Sequence, residues 1–389
     1  MSQVNRPENL DVWVLAGQSN MQGVSDLAGA LPPDERVWNF TSAGHWEIAT
    51  EPLHKLWQSY TPVHKTMMRG NQTPEQYAKS DAEMDAEDSK NNARAGLGIS
   101  FGKSMADALG RPIGLIPAAH GGTSLDQWNP TLKDKGGESL YGAMLQRIAD
   151  AGGNLRGILW YQGESEGWDT TIANTYSDRF VTWVERVRAD TGIPDLPVLT
   201  VQIGCVSLDS VNLSAWNTIR QTQYLFPGRV SGTTVTTAVD LTLEDCIHIS
   251  APGLIRLGRR LARQALALTE NKPLSTGPRV AKIESIPKDA KYPERAELRI
   301  SFTGVTGSWN PTDHLAGFTI CAPDGTALPG NYVYRVYRDP EDPTVIRLRL
   351  NLPVQPGDMV GYGQGLQPYC NVVDAADMGL CAFLLPVEN

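Results

Sequence analysis

Four short blocks in this 389-residue sequence hold the residue types that acyl transfer needs. That chemistry uses a nucleophile, a base to take its proton, an acid to orient the base, and N–H donors for the oxyanion. The first block, Gly17-Gln18-Ser19-Asn20-Met21, follows a short apolar run. Ser19 reads either as the cap of a helix or as a nucleophile, with its own N–H and the helix amino end favouring a developing oxyanion. The second block is Gly121-Gly122-Thr123-Ser124. Paired glycines let backbone approach a substrate, so Gly122 N–H is a second candidate donor; a plain turn is the other reading. No Gly-Lys-Ser/Thr follows and no Gly-x-Gly-x-x-Gly succeeds the first apolar run, which argues against a phosphate cradle. The third block runs from Trp160 to Gly167, where the Gln162 amide is a further candidate donor. The fourth is Asp245-Cys246-Ile247-His248. A carboxylate three residues ahead of a histidine can fold back onto Nδ1, fixing the tautomer and leaving Nε2 as base. A solvated loop histidine is the ordinary alternative.

The third block also contains a rival. Gly163-Glu164-Ser165-Glu166-Gly167 satisfies the Gly-x-Ser-x-Gly nucleophile pattern. Two flanking carboxylates would oppose charge building on Ser165, whereas Ser19 has uncharged neighbours. Trp128, Tyr161 and Trp168 lie beside these blocks and read either as platforms for sugar rings or as core. His120 reads either as a substrate contact or as loop filler.

These residues require a scaffold that brings distant segments to one edge. Short apolar runs at Asp11–Ala16, Ile113–Ala118, Gly157–Tyr161, Pro197–Ile203 and Thr234–Val239 suit strands covered on both faces. Between them lie helical patterns at Gly98–Leu109, Glu138–Ala151, Thr171–Thr191, Leu213–Phe226 and Pro252–Thr269. This alternation predicts an α/β fold, a parallel sheet flanked by helices, over residues 8–270. Residues 58–92 interrupt it with a long polar excursion, read as a mobile loop or a lid. Residues 271–278 read as a linker. From 279 to 389, short β-type runs separated by Pro-Gly and Asp-Gly turn signals predict an antiparallel β-sandwich. As an appended module, it should be removable with less harm to simple-ester cleavage than to substrate range.

Composition narrows the partners. Thirty-four Lys and Arg against 43 Asp and Glu give a formal charge of −9, which argues against nucleic acid or an anionic membrane surface. Hydrophobic residues make up 41% and charged ones 20%, as in ordinary globular chains. No apolar run has the length of a membrane span. The opening residues lack the pattern of a secretory signal, so the expectation is a cytoplasmic protein, or a secreted one whose leader has been removed. Five scattered cysteines, none in a Cys-x-x-Cys pair, suggest neither a disulfide framework nor a zinc site. No metal or cofactor is expected.

Taken in order, the four blocks resemble those of the SGNH/GDSL hydrolases, in particular the branch with the sialate O-acetylesterases and the family 6 carbohydrate (acetylxylan) esterases. Trp46-Glu-x-Ala-x-Glu-Pro-Leu-His54 and Ile113-Gly-Leu-Ile-Pro117 are similar to that branch too, over roughly residues 11 to 270. Gly361–Asn371 is similar to a C-terminal stretch of sialate O-acetylesterases, with Gln364 in place of its tryptophan. The resemblance implies a flavodoxin-like three-layer fold with Ser19 as nucleophile, His248 as base and Asp245 as acid. The N–H groups of Ser19 and Gly122 with the Gln162 side chain would form the oxyanion hole. Glu164 is a rival acid, because some relatives use the glutamate of the Gln-Gly-Glu block. The implied activity is a serine O-acetylesterase acting on acetylated sugars of sialate or xylan type, with no cofactor. Two alternatives stay open: an α/β-hydrolase-type esterase using Ser165, and a non-catalytic glycan-binding protein on the same fold.

Overall fold

The structure is a computed structural model describing residues 6–91, 93–270, 272–286, 296–312, 314–330 and 332–388. Parts of the expected excursion (92), linker (271) and C-terminal region (287–295, 313, 331 and 389) lie outside the described residues.

Seven strands build the central sheet: β1 (Asp11–Gly17), β2 (Val37–Phe40), β3 (Trp46–Ile48), β4 (Ile113–Pro117), β5 (Asn154–Tyr161), β6 (Val198–Gln202) and β7 (Thr233–Thr237). Their order is β3-β2-β4-β1-β5-β6-β7. All neighbours are parallel except β2 and β3, which pair antiparallel. β1, β4, β6 and β7 are buried along their whole length, which explains their continuous apolar or Thr-rich sequences. The chain leaves β1 toward one side of the sheet and, after β4, crosses to the other side at β5. The sheet therefore has its switch point at β1, and open α/β sheets bind ligands outside the carboxyl ends of the strands at such a point.

The helices are α1 (Ser19–Gln22), α2 (Pro62–Gly70), α3 (Pro74–Tyr77), α4 (Asp81–Asp88), α5 (Gly98–Leu109), α6 (Leu140–Ala151), α7 (Thr170–Thr191), α8 (Leu213–Arg229) and α9 (Ala251–Thr269). α5 and α9 pack together so closely that a Cβ on Gly258 would lie 2.7 Å from Leu97 O. Against the sheet, Trp13 meets Phe101 of α5 edge-on at 5.2 Å. On the opposite face α6, α7 and α8 are joined by rings, with Tyr141 on Trp183 and Phe180 stacked on Phe226 at 4.2 Å. Trp160 of β5 packs on Trp183 at 4.3 Å beneath them. The segment expected to be a loop or lid carries α2, α3 and α4, the last two closed by capping boxes at Thr73 and Ser80. No helix among the described residues is long and apolar enough to cross a membrane.

Beyond α9, strands at Arg279–Ile286, Ala296–Thr303, Ile346–Leu350 and Val333–Arg338 form one antiparallel sheet. Phe318–Cys321, Met359–Tyr362 and Phe383–Pro386 form another. Strict alternation in Ala296–Thr303 sends Leu298 and Ile300 into a shared core with Ile320, Val360 and Phe383. That core also includes Tyr224, Val235 and Val239 of the α/β region. Gln202, at the end of β6, pairs with a backbone residue of the second sheet: its Nε2 donates to Ala382 O at 2.8 Å and its Oε1 accepts from Ala382 N at 2.7 Å. Buried Arg220 donates to the carbonyls of Ile203 and Gly204, and to Gly363 O at 3.0 Å. Arg260 holds Asp240 at 2.6 Å and donates to Asp377 O. Buried polar contacts thus join the C-terminal region to the α/β region.

Candidate active site

The site is built on the close approach of β1 to β5. A Cβ on Gly17 (φ +131°) would lie 2.1 Å from Tyr161 O, so only glycine permits it. Gln18 N donates to the same carbonyl at 2.9 Å, and the chain turns into the single turn of α1, presenting Ser19. One turn sums few peptide dipoles, so the expected helix-end potential is minor and individual N–H groups matter instead. The loop after β4 is drawn alongside by Gly121 N, which donates to Gln22 Oε1 at 2.7 Å. Gly122 follows in the left-handed region, φ +68°, where a side chain would be strained. Ser19 and Gly122 line an open cleft of about 460 Å³ together with Glu164 and His248. Their backbone N–H groups have no acceptor among the described residues, and neither has the Ser19 hydroxyl a partner there.

His248 arrives on the loop after β7, pinned by Asp245. One Asp245 oxygen accepts the amides of Ile247 and His248, each at 2.8 Å, and the other lies 2.7 Å from His248 Nδ1. Burial raises the Asp245 pKa, but the His248 ring and the two amides outweigh it and hold the carboxyl below its ordinary value. His248 Nε2 has no protein partner among the described residues. Asn20 ties this loop to the serine turn: its Oδ1 accepts from Ile249 N at 2.9 Å and its Nδ2 donates to Glu164 Oε1 at 2.8 Å. Glu164 is buried, its other oxygen has no partner among the described residues, and burial pushes its pKa up against the Asn20 hydrogen bond. It therefore meets the histidine loop through Asn20, while Asp245 holds the imidazole directly.

The other expected site residues divide. Trp168, 41% exposed, and His120 line the cleft. Trp128 does not: it is buried edge-on against Trp160 with Nε1 on Thr123 Oγ1 at 3.0 Å. Tyr161 is likewise fully buried core. Gln162 is a correction as well. It is fully buried and its amide nitrogen faces Thr123 O at 3.1 Å and Glu166 Oε2, because the buried Glu166 carboxyl demands a donor. No N–H of Gln162 remains to reach an oxyanion. Ser165 lines the cleft, but its backbone has an ordinary negative φ rather than the strained turn of a nucleophile elbow. It is flanked by the buried carboxyls Glu164 and Glu166, whose pKa values burial raises.

Several structural partners escaped the sequence reading. Asn20 stood inside a recognised block, but its acceptor and donor lie 144 and 229 positions away. Gln22 and His64 are similar cases; His64 Nδ1 of α2 lies 3.0 Å from His120 Nδ1. Burial holds both imidazoles neutral, lowering the pKa of His120 to about 4. Among the described residues no cluster of three His, Cys, Asp or Glu side chains is arranged to hold a metal.

A mostly parallel sheet whose carboxyl edge carries a serine, a glycine amide and an Asp–His pair, in that chain order, has the layout of an SGNH-type hydrolase. A family profile described as carbohydrate esterase, sialic acid-specific acetylesterase, matches residues 9–267, and the chain belongs to that family. It is a carbohydrate acetylesterase, a carboxylic ester hydrolase. An Arabidopsis thaliana protein described as a probable carbohydrate esterase is 26% identical over 66% of this chain and 90% of its own length. Human sialate O-acetylesterase is 26% identical over 70% of this chain, which spans 56% of the human protein. The crystal structure of a carbohydrate acetylesterase from Xanthomonas citri superposes with a TM-score of 0.67 at 19% identity. It covers 97% of this chain and 81% of the other, so the shared fold includes the C-terminal sheets.

Proposed function

We propose that the protein removes acetyl groups from O-acetylated sugars through an acyl-enzyme on Ser19. The observation that carries this reading is the meeting of Ser19 and His248 in one cleft, with Asp245 2.7 Å from the far ring nitrogen. In the first half-reaction, His248 Nε2 takes the Ser19 proton as Oγ bonds to the acetyl carbonyl carbon. The oxyanion sits between the N–H groups of Ser19 and Gly122, and Asp245 stabilises the imidazolium. Collapse breaks the ester bond, and His248 returns its proton to the departing sugar oxygen. Water then enters, gives a proton to His248, attacks the acyl carbon and releases acetate with Ser19 restored. Glu164 serves by holding Asn20 and, through it, the histidine loop. Pockets of about 300–1,000 Å³ accommodate small ligands, and this cleft falls in that range. Ser19→Ala should abolish acetate release and p-nitrophenyl acetate hydrolysis while Ser165→Ala retains both. Retained turnover in Ser19→Ala refutes the reading.

A further inference from the structure

We infer that the sugar moiety accepted by this cleft is uncharged, so that a carboxylate-bearing sugar such as a sialic acid is disfavoured. The inference rests on the serine-esterase reading and concerns the ligand of the same site.

Among the described residues lining the cleft there is no lysine or arginine. The arginine nearest in sequence is Arg69, next to the cleft residue Met68 on α2, and its donors are engaged elsewhere. It holds Asp81 at 2.8 Å, donates to Gln72 Oε1 at 3.1 Å, and lies 5.1 Å over the Trp57 ring. Lys65 is paired with the same Asp81 at 3.2 Å. The ionisable groups that line the cleft are the imidazoles of His120 and His248 and one carboxyl, Glu164, which has one oxygen unpartnered among the described residues.

A sugar carboxylate taken out of water needs a cation or several N–H donors. The free amides of Ser19 and Gly122 are required by the acetyl oxygen. The remaining polar lining is neutral. Asn71 borders the cleft, and His120 has Nδ1 occupied by His64 and Nε2 without a protein partner among the described residues. An imidazole and an amide both accept and donate to hydroxyl groups, and the exposed Trp168 ring suits an apolar sugar face. A neutral polyhydroxylated ring satisfies this wall; an anionic one meets the Glu164 carboxyl and no lysine or arginine among the described lining residues.

The test compares kcat/KM of the full chain for acetate release from three probes: an O-acetylated sialic acid glycoside, its carboxamide analogue, and a mono-O-acetylated methyl xyloside. The carboxamide should exceed the carboxylate by at least about tenfold, with a smaller gap at high salt because screening weakens the repulsion. The neutral xyloside should match or exceed the carboxamide. A carboxylate form turned over as fast as its carboxamide overturns the inference. The Arg69→Gln variant should leave the carboxamide-to-carboxylate ratio unchanged, and a rise in that ratio would show that Arg69 serves the carboxylate after all. If p-nitrophenyl acetate also goes uncleaved, it is the serine-esterase reading that has failed.

Discussion

Replacing Asp245 by asparagine should harm the enzyme more than replacing it by alanine. Unit charges about 4 Å apart attract by about 1 kcal/mol in water and about 4 kcal/mol at an effective dielectric of about 20. The Asp245 side chain is 49% exposed, so the watery end of that range applies. Losing the carboxylate in Asp245→Ala then removes about 1–2 kcal/mol of imidazolium stabilisation, a factor of roughly 5–30 in kcat/KM. Asparagine adds a second defect. One carboxylate oxygen receives two amides at 2.8 Å each, so the asparagine carbonyl must occupy that position. Its NH2 group then faces His248 Nδ1 and imposes the tautomer protonated on Nε2, which cannot accept the Ser19 proton. Turning the amide over would forfeit two hydrogen bonds of about 0.5–1.5 kcal/mol each. Asp245→Asn should therefore fall about tenfold or more below Asp245→Ala, a gap corresponding to about 1.4 kcal/mol. The assay is kcat/KM for p-nitrophenyl acetate on variants whose melting temperatures match the wild type. Activity in Asp245→Asn equal to or above that of Asp245→Ala refutes the argument.

Glu164→Gln should keep kcat/KM within a few-fold, because an amide oxygen can still accept from Asn20, whereas Glu164→Ala should lose more; the opposite order would make Glu164 a direct partner of His248. Gln162→Met should lower stability by about 1–3 kcal/mol in urea unfolding, since it leaves Oε2 of buried Glu166 and the Thr123 carbonyl without a donor. Burial lowers the pKa of His54 to about 3 and of His120 to about 4 from an ordinary 6.5. Both are neutral when folded and bind protons more readily when unfolded, so stability is complete above pH 6.5 and declines as pH falls toward 4. The melting temperature of His54→Gln should decline less steeply over that interval, and an unchanged slope would contradict the assignment. A chain ending at residue 278 should fail to fold. It strips the C-terminal carbonyl partners from buried Arg220 and Arg260 and the backbone pairing from Gln202, at about 1.5–3 kcal/mol for each lost hydrogen bond to a charged group, and uncovers Tyr224, Val235 and Val239, against a total stability of about 5–15 kcal/mol. A soluble truncated chain with a normal melting temperature would refute this.

The parallel strands and long helices were legible because each carries its own period. Gly98–Leu109 was read with the bounds it has, and the ends of α7 and α9 within a residue. The antiparallel edge made by β2 and β3 was missed, since three and four residues give too short a pattern. The Asp245–His248 contact was legible because three residues span it. Gln162 was misassigned for the converse reason: its sequence neighbours do not reveal Glu166 as a buried carboxyl claiming its amide. Likewise Trp128 and Tyr161 have the right residue type for sugar contact, but only the packed fold, with Trp128 against Trp160 and Tyr161 fully covered, shows them to be interior. The contacts that join the two halves were hidden as well, because turn signals mark a change of architecture and say nothing about which side chains cross between them.

The pairing of Gln202 with Ala382 reaches across 180 positions of the chain. During synthesis, the catalytic half therefore leaves the ribosome long before the backbone that pairs with the Gln202 side chain at the end of β6 exists. Until then Gln202 lacks its Ala382 contacts and Arg220 keeps the carbonyls of Ile203 and Gly204 but lacks that of Gly363, so the nascent protein carries an unfinished flank. Its acquisition of activity should be timed by emergence of residue 382 rather than of the serine and histidine, and ribosome-tethered chains stalled before that residue should be natural clients of chaperones.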